Sequence, residues 1–354
     1  MSIDKQIDES AREFLDFCKN LGQGYSTLGD VGEISTGVTH REVIYKQDKM
    51  TLYRYRASPG KKPSGIPILI VYALVNRPYV ADIQKDRSTI QGLLKQGLDV
   101  YLIDWGYPDG SDRYLNLDDY INGYMDDCVN ELCSRLDVSS ISLLGICQGG
   151  TFSLCYSAMH PDKVKNLVTM VTPVDFHTDD NLLSRWVRNI DIDLMVDTLG
   201  NIPGEMLNWT FLSLKPYSLM GQKYIDMVDL LADKEQTKNF MRMEKWIFDS
   251  PDQVGEAFRQ FVKEFFQNNG LVNGGVRIGG QLAQLSNITM PVLNIFASED
   301  HLVPPSASKP LGKHIASKDY TERVFKGGHI GIYVSGRAQR EVPGHIGKWV
   351  SDRS

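Results

Sequence analysis

Long hydrophobic runs are missing from this sequence. None of its 354 residues belongs to a stretch of about 18 consecutive apolar positions, the length that a membrane-spanning helix requires. The first residues, MSIDKQIDESAREFLDFCKN, lack the apolar core of a secretory signal peptide and read instead as a polar, amphipathic helix at about residues 4–22. We therefore expect no transmembrane segment and a cytoplasmic protein.

Cysteine is scarce, and basic residues are outnumbered by acidic ones. The net charge of -6 argues against nucleic acid as a partner, because phosphate contacts need clustered Lys and Arg side chains. No internal repeat and no G-x-x-x-x-G-K phosphate loop occurs. The few cysteines are odd in number, have no metal-binding spacing and are expected to be free thiols, so no metal site is predicted. They are Cys18, Cys128, Cys133, Cys147 and Cys155.

What the sequence does contain is a series of short apolar runs typical of buried strands. They lack strict alternation, as do strands that are covered on both faces. Helical segments lie between them, at roughly 88–97, 117–136, 150–160 and 335–351. This strand–helix order predicts an α/β fold with a mostly parallel central sheet flanked by helices. The predicted strands are 66–74, 99–105, 141–146, 164–174, 291–298 and 320–327.

The segment 179–285 has a different character from the rest of the chain. It is rich in Met, Leu, Trp and Phe, shows no clear strand and reads as several short helices. The α/β pattern resumes only after it. We therefore predict a core formed by 1–178 and 286–354, with 179–285 as a helical cap inserted over the sheet's edge. The alternative is an additional helical layer without a function of its own.

One turn, LLGICQGG at Leu143–Gly150, carries a recognisable chemical pattern. Gly-x-Ser-x-Gly marks the nucleophile elbow of α/β-hydrolases, where small neighbours allow a sharp turn between strand and helix. Here Gly145, Gly149 and Gly150 are the small residues, and Cys147 takes the place of the serine. The partial positive charge of the following helix N-terminus favours a thiolate. The alternative is a chance pattern around a buried thiol.

Two later strand ends offer partners for Cys147. An α/β-hydrolase places its triad in the order nucleophile, acid, histidine. Asp300 follows the strand PVLNIFAS, with Glu299 as the less favoured neighbour, and His329 follows the strand that ends in VFKGG. Their order and positions favour catalysis over coincidence. His301, beside Asp300, is a weaker site candidate.

The donors that would bind an oxyanion are predicted from the same pattern. The first is the main-chain N–H of Gln148, directly after the nucleophile. The second comes from the loop after an early strand, where Val75 and Asn76 are the candidates and Val75 is preferred.

Cysteine in place of serine indicates a particular kind of acyl chemistry. Exchange between a thioester substrate and a cysteine is nearly neutral and keeps the acyl group activated for attack by an alcohol. The residues thus favour acyl transfer from a thioester to a hydroxyl, with a cap that excludes water. Two alternatives stay open: a cysteine hydrolase of esters, lactones or thioesters on the same fold, and a non-enzymatic scaffold.

Several longer segments are spread over nearly the whole chain. They are LLGICQGG, IVYALVNRPYVADIQ, YLIDWGYPD, VTMVTPVDFH, FASEDHLVPP and GGHIGIYVSG. These segments resemble the catalytic subunits of polyhydroxyalkanoate synthases, in particular the short class III type, in which cysteine replaces the serine of a lipase-like box.

The resemblance implies both a reaction and partners. The reaction is polymerisation of (R)-3-hydroxyacyl-CoA, chiefly 3-hydroxybutyryl-CoA, to an intracellular polyester with release of CoA. No separate cofactor is implied, because CoA is part of the substrate and the product. Cys147 would attack the thioester, His329 would take its proton, and Asp300 would help His329 to deprotonate the 3-hydroxyl. Family members form dimers at polyester granules. A PhaE subunit is the implied partner, and the PhaR subunit of the class IV type is less favoured.

Overall fold

The computed structural model describes residues 32–56, 66–231 and 233–354. The helix expected at about residues 4–22 lies outside these described residues. The chain divides into two compact units. The larger unit contains Gly37–Gly204 and Ser250–Ser354, and the smaller contains Glu205–Asp249 with the described part of Met1–Thr36.

The larger unit is built on an eight-stranded sheet in the order β1-β2-β6-β3-β7-β8-β11-β12. All neighbours from β6 to β12 pair in parallel. β1 and β2 add an antiparallel edge. The strands are β1 Arg41–Gln47, β2 Met50–Tyr55, β3 Ile66–Val71, β4 Asp82–Gln84, β5 Arg87–Ser88, β6 Leu98–Asp104, β7 Ile141–Ile146, β8 Val164–Met170, β9 Val276–Ile278, β10 Gln281–Ala283, β11 Val292–Ala297 and β12 Tyr320–Phe325.

Helices connect the strands and cover the sheet, and α1 and α3 pack directly on its strands. In the described part of the chain, no helix is both long and apolar enough to cross a bilayer. The α-helices are α1 Thr89–Lys95, α2 Asp126–Leu136, α3 Gln148–Met159, α4 Leu182–Val187, α5 Ile192–Leu199, α6 Gly204–Ser213, α7 Lys223–Leu230, α8 Lys234–Phe248, α9 Gly255–Phe261, α10 Pro305–Ser308, α11 Leu311–His314, α12 Gly331–Val334 and α13 Gly336–Ser351. Wider, π-helical turns at Asp119–Met125, Tyr217–Gln222 and Val262–Gln267 adjoin α2, α7 and α9.

The continuous apolar runs form the middle of the sheet, as predicted. Every residue of β6, β7 and β11 is buried, which explains why these strands show no alternation. The predicted mostly parallel α/β architecture is thereby confirmed. The antiparallel edge strands β1 and β2 were not among the predicted strands. Their sequences, REVIYKQ and MTLYRY, mix exposed and buried positions and contain no continuous apolar run.

The expectation that 179–285 contains no strand is wrong at one place. β9 and β10 pair as an antiparallel hairpin within the larger unit. The turn between them is made by Gly279 and Gly280, whose φ angles of 55° and 79° suit glycine. Strands of three residues are too short to display a period of two, so the sequence pattern gives no signal.

The smaller unit is helical, and its described part contains α6 from Glu205 onwards together with α7 and α8. Helices α7 and α8 are joined by an ion pair of 2.7 Å between Lys223 and Glu244. The Tyr224 hydroxyl donates to the same carboxylate at 2.8 Å. Lys245 of α8 donates to the carbonyl of Ile34 at 3.0 Å, which ties the preceding chain to this helix. The role of residues 179–285 as a cap stays a prediction.

Candidate active site

Cys147 lies on a strained turn between β7 and α3, at the carboxyl end of a central strand. Its φ and ψ angles are 54° and -122°, a backbone conformation that residues other than glycine rarely adopt. Such conformations cost about 1–3 kcal/mol each and occur mainly at functional sites. The Cys147 N–H donates to the carbonyl of Met170 at 2.9 Å, which fixes the turn against β8. The strain matches that of a nucleophile elbow.

The glycines around Cys147 are required by close packing. A Cβ at Gly145 would lie 2.5 Å from the Cα of Gly150. A Cβ at Gly150 would overlap the side chain of Thr172. At Gly149, a Cβ would overlap the carbonyl oxygen of Val71 and lie 2.6 Å from the carbonyl carbon of Tyr72. The elbow is therefore packed directly against the end of β3.

We expect Gly149→Ala to destabilise the protein, because its methyl group meets main-chain atoms that cannot rotate away. Overpacking of this kind lowers the free energy of unfolding by about 1–3 kcal/mol. Urea denaturation followed by circular dichroism measures the loss. Gly344→Ala is the matched control, because it lies within α13 and a Cβ there meets nothing within 4 Å. An unchanged unfolding midpoint for Gly149→Ala would contradict the packing argument.

Asp300 follows β11 and is held rigidly. Its Oδ1 accepts hydrogen bonds from the N–H groups of Leu302 and Val303, both at 2.9 Å. Its Oδ2 lies 2.7 Å from Nδ1 of His329. The Asp300 carboxylate is fully buried, whereas the neighbouring Glu299 is exposed. The structure therefore presents Asp300, and not Glu299, to the histidine.

His329 follows β12 and lies between Asp300 and Cys147. Because the Asp300 carboxylate can only accept, Nδ1 of His329 carries the proton of the 2.7 Å hydrogen bond. The second ring nitrogen, Nε2, is left to hydrogen-bond Cys147. The structure thus brings together the three residues that the sequence assigned to a triad. Each of them comes from the carboxyl end of a different parallel strand.

The charges of this group favour a protonated imidazole. Burial alone would lower the pKa of His329, but the negative charges of Asp300 and of a Cys147 thiolate outweigh burial and raise the pKa to about 10. His329 therefore takes up a proton readily at neutral pH.

The two predicted oxyanion donors come from different elements. Gln148 begins α3, and Val75 lies in the loop that follows β3. Within residues 66–231 and the other described ranges, neither the Gln148 nor the Val75 N–H has a hydrogen-bond acceptor. Both groups are thus available to a ligand, although their role in binding an oxyanion stays a prediction. His301 is only partly exposed on the turn that carries Asp300, and its role also stays a prediction.

Sequence reasoning missed two buried aromatic side chains of the site, Tyr72 and Tyr333. The rings of His329 and Tyr333 meet edge to face, with centroids 6.2 Å apart. Burial raises the pKa of Tyr72 and of Tyr333 well above the usual value, and the negative charge of Cys147 adds to both shifts. Two neutral phenols therefore lie in the surroundings of Cys147. Their only sequence signal was their position beside the end of β3 and beside His329.

The chain resembles known proteins over its whole length. Residues 66–335 match a family model described as the alpha/beta hydrolase fold, which confirms the predicted fold. The sequence is 63% identical over 352 residues to the poly(3-hydroxyalkanoate) polymerase subunit PhaC of Thiocystis violacea, covering 99% of each chain. It is 64% identical over 352 residues to the protein of the same name from Allochromatium vinosum, again with 99% coverage of each. A monoacylglycerol lipase of Paleococcus ferrophilus matches 86% of this chain and 99% of its own, with a TM-score of 0.56 at 18% identity. This last likeness shows the fold alone.

Proposed function

The chain belongs to the PhaC family of poly(3-hydroxyalkanoate) polymerase subunits, and from this premise we propose that it polymerises (R)-3-hydroxyacyl-CoA, chiefly (R)-3-hydroxybutyryl-CoA, through a covalent acyl-cysteine. It is thus an enzyme, a polymerising acyltransferase. The relatives of this name match 99% of the chain, and not one part of it alone. The observation that supports the covalent route is the strained elbow that presents Cys147 to the His329–Asp300 pair.

In the first step, the Cys147 thiol gives its proton to Nε2 of His329, and the sulfur attacks the thioester carbonyl of the substrate. The carbonyl oxygen becomes an oxyanion, which we propose the N–H groups of Gln148 and Val75 bind. The bond between carbonyl carbon and CoA sulfur then breaks, and His329 returns its proton to the departing thiolate. The products are free CoA and an acyl-cysteine.

In the second step, the 3-hydroxyl of another acyl group attacks the acyl-cysteine. His329 Nε2 accepts the hydroxyl proton, because Asp300 holds the other ring nitrogen protonated. The new ester bond forms as the carbon–sulfur bond breaks, and Cys147 is free again. Exchange of one thioester for another changes the free energy little, whereas formation of the oxyester lowers it. A cysteine nucleophile therefore fits this order of steps.

The direct test is incubation of the purified protein with (R)-3-hydroxybutyryl-CoA. We expect release of free CoA together with an insoluble polyester, because a hydroxyl is the acyl acceptor. CoA is measured with a thiol reagent and polymer by light scattering and gas chromatography after methanolysis. Free CoA accompanied only by monomeric 3-hydroxybutyrate would instead identify a cysteine hydrolase, and no CoA release at all would contradict both functions.

We extend the proposal to the surroundings of the enzyme. Residues 179–285 are assigned as the cap that keeps water from the acyl-cysteine, since hydrolysis would end chain growth. The partner is proposed to be a PhaE subunit in preference to PhaR, within a homodimer or hetero-oligomer. The location is proposed to be the cytoplasm, at the surface of polyester granules. CoA enters and leaves with the substrate and product, so no further cofactor is proposed.

A further inference from the structure

The loop Tyr72–Arg77, here called the oxyanion loop, is held by side chains from three other parts of the larger unit. Trp105 Nε1 donates to the carbonyl of Tyr72 at 2.9 Å. The Leu74 N–H donates to Oε1 of Gln148 at 2.9 Å. Gln253 Nε2 donates to the carbonyl of Leu74 at 3.0 Å. Two glutamines thus bind the two sides of one residue, Leu74.

These two bonds fix two successive peptide planes. The N–H of Leu74 belongs to the peptide between residues 73 and 74. The carbonyl of Leu74 belongs to the next peptide, which also carries the N–H of Val75. In a trans peptide the N–H and C=O point in opposite directions. The bond from Gln253 to the Leu74 carbonyl therefore sets the direction in which the Val75 N–H points.

We infer that Gln253 is a positioning residue of the acylation step, which aims and polarises the Val75 N–H through the Leu74 carbonyl. A donor bound to the carbonyl end of a peptide strengthens the N–H at the other end as a donor. Gln148 supports the same loop from the opposite side while it offers its own N–H. The inference rests on the proposed acylation of Cys147.

Gln253 itself is held too firmly to adapt to the loop. Its N–H and C=O pair with the C=O and N–H of Ile202, both at 2.8 Å, and the residue is 2% exposed. Its Nε2 faces two carbonyl oxygens, those of Leu74 and of Pro251 at 3.2 Å, so the amide has only one orientation that satisfies both. Gln253 therefore sets the conformation of the oxyanion loop, and the loop does not set that of Gln253.

The other half of the Gln253 amide shows that main-chain support alone does not account for this side chain. In the part of the chain that the structure describes, its buried Oε1 has no hydrogen-bond partner. An unpaired buried acceptor is unfavourable for stability, so its presence in a native protein calls for an explanation, and a functional role is one. Orientation of the Val75 N–H by the other half of the same amide is such a role.

The test compares two reactions of Cys147 in Gln253→Met, which keeps length and bulk but cannot donate. Acylation develops an oxyanion, whereas alkylation by iodoacetamide displaces iodide and develops none. Loss of a whole oxyanion donor costs about 10²–10³-fold in rate. A misdirected donor should therefore slow single-turnover acylation by p-nitrophenyl acetate and by 3-hydroxybutyryl-CoA about 10- to 100-fold, and leave alkylation unchanged.

Gln260→Met is the matched control, because Gln260 also bridges two main-chain groups, the Leu117 N–H and the Arg277 carbonyl. It should leave both reactions at the wild-type rate. Wild-type acylation in Gln253→Met, or an equal loss of acylation and alkylation, would overturn the inference. If Gln253→Met does not fold, Gln253→Asn carries the same test, since its amide is one methylene too short to reach Leu74. Failure of the proposed function appears separately, as wild-type protein that reacts with p-nitrophenyl acetate but not with 3-hydroxybutyryl-CoA.

Discussion

Cys147→Ala is expected to reduce polymerisation by at least about 10⁴-fold, because no other group in the proposed route can form the acyl-enzyme. The exchange removes the sulfur and keeps the Cβ, so the strained turn and its hydrogen bond to the Met170 carbonyl are retained. What remains after the exchange is substrate binding and the oxyanion donors. CoA release is followed with a thiol reagent, and intact-protein mass spectrometry shows whether an acyl group has been attached.

Cys133→Ala is the matched control for this experiment. Cys133 is a partly buried thiol on α2 and has no part in the proposed route. Its variant should polymerise at the wild-type rate and gain the same mass of acyl group. Polymer formation by Cys147→Ala at more than a few per cent of the wild-type rate would contradict covalent catalysis at this position.

Most of the strands around the site were predictable because they are buried along nearly their whole length, which gives continuous apolar runs at β3, β6, β7, β8 and β11. β12 was also predicted, although all of its residues but Phe325 are half-buried or exposed. Cys147, Asp300 and His329 follow the carboxyl ends of β7, β11 and β12. Local sequence also predicted the elbow, since Gly145, Gly149 and Gly150 must be small for the turn to pack closely. The edge strands β1 and β2 have one face only partly covered and gave no such signal.

The support of the oxyanion loop was not predictable from local pattern. Gln253 lies 179 residues from Leu74 along the chain, and nothing in the sequence SPDQVGE distinguishes its glutamine from any other polar residue. The contact of the Gln148 side chain was equally unpredictable, because the elbow pattern accepts almost any residue between the nucleophile and the glycine. Such contacts depend on how loops that are distant in sequence pack against each other, and the periodicity of the sequence does not predict them.

The different roles that we propose for Asp300 and His329 are supported by burial. Oδ1 of Asp300 accepts two main-chain hydrogen bonds, Oδ2 is engaged by His329, and the side chain has no exposed surface. We therefore expect that a substrate hydroxyl does not contact this carboxylate directly. Asp300 is therefore expected to act on both reaction steps through His329, and not directly on the 3-hydroxyl.

Asp300→Asn tests this division, and its expected effect is the second largest. The N–H groups of Leu302 and Val303 require an oxygen, so the Asn amide must turn its NH₂ towards Nδ1 of His329. Nδ1 then becomes an acceptor, and the proton moves to Nε2, which no longer accepts one from the thiol or the hydroxyl. The same exchange in a serine-protease triad lowers kcat about 10⁴-fold. We expect a loss of about 10³–10⁴-fold in single-turnover acylation and in chain elongation alike, with little change in KM.

A buried carboxylate elsewhere separates loss of catalysis from loss of stability. Asp82 is fully buried and accepts hydrogen bonds from Thr39 and Ser88. Asp82→Asn should therefore lower the unfolding temperature but leave kcat near the wild-type value, because it alters no group that faces Cys147. If Asp300→Asn were acylated at the wild-type rate and failed only in elongation, the carboxylate would have to act on the hydroxyl itself. That result requires Asp300 to leave its two main-chain hydrogen bonds during the reaction, whereas equal losses in both steps show that it holds His329 in the productive tautomer throughout.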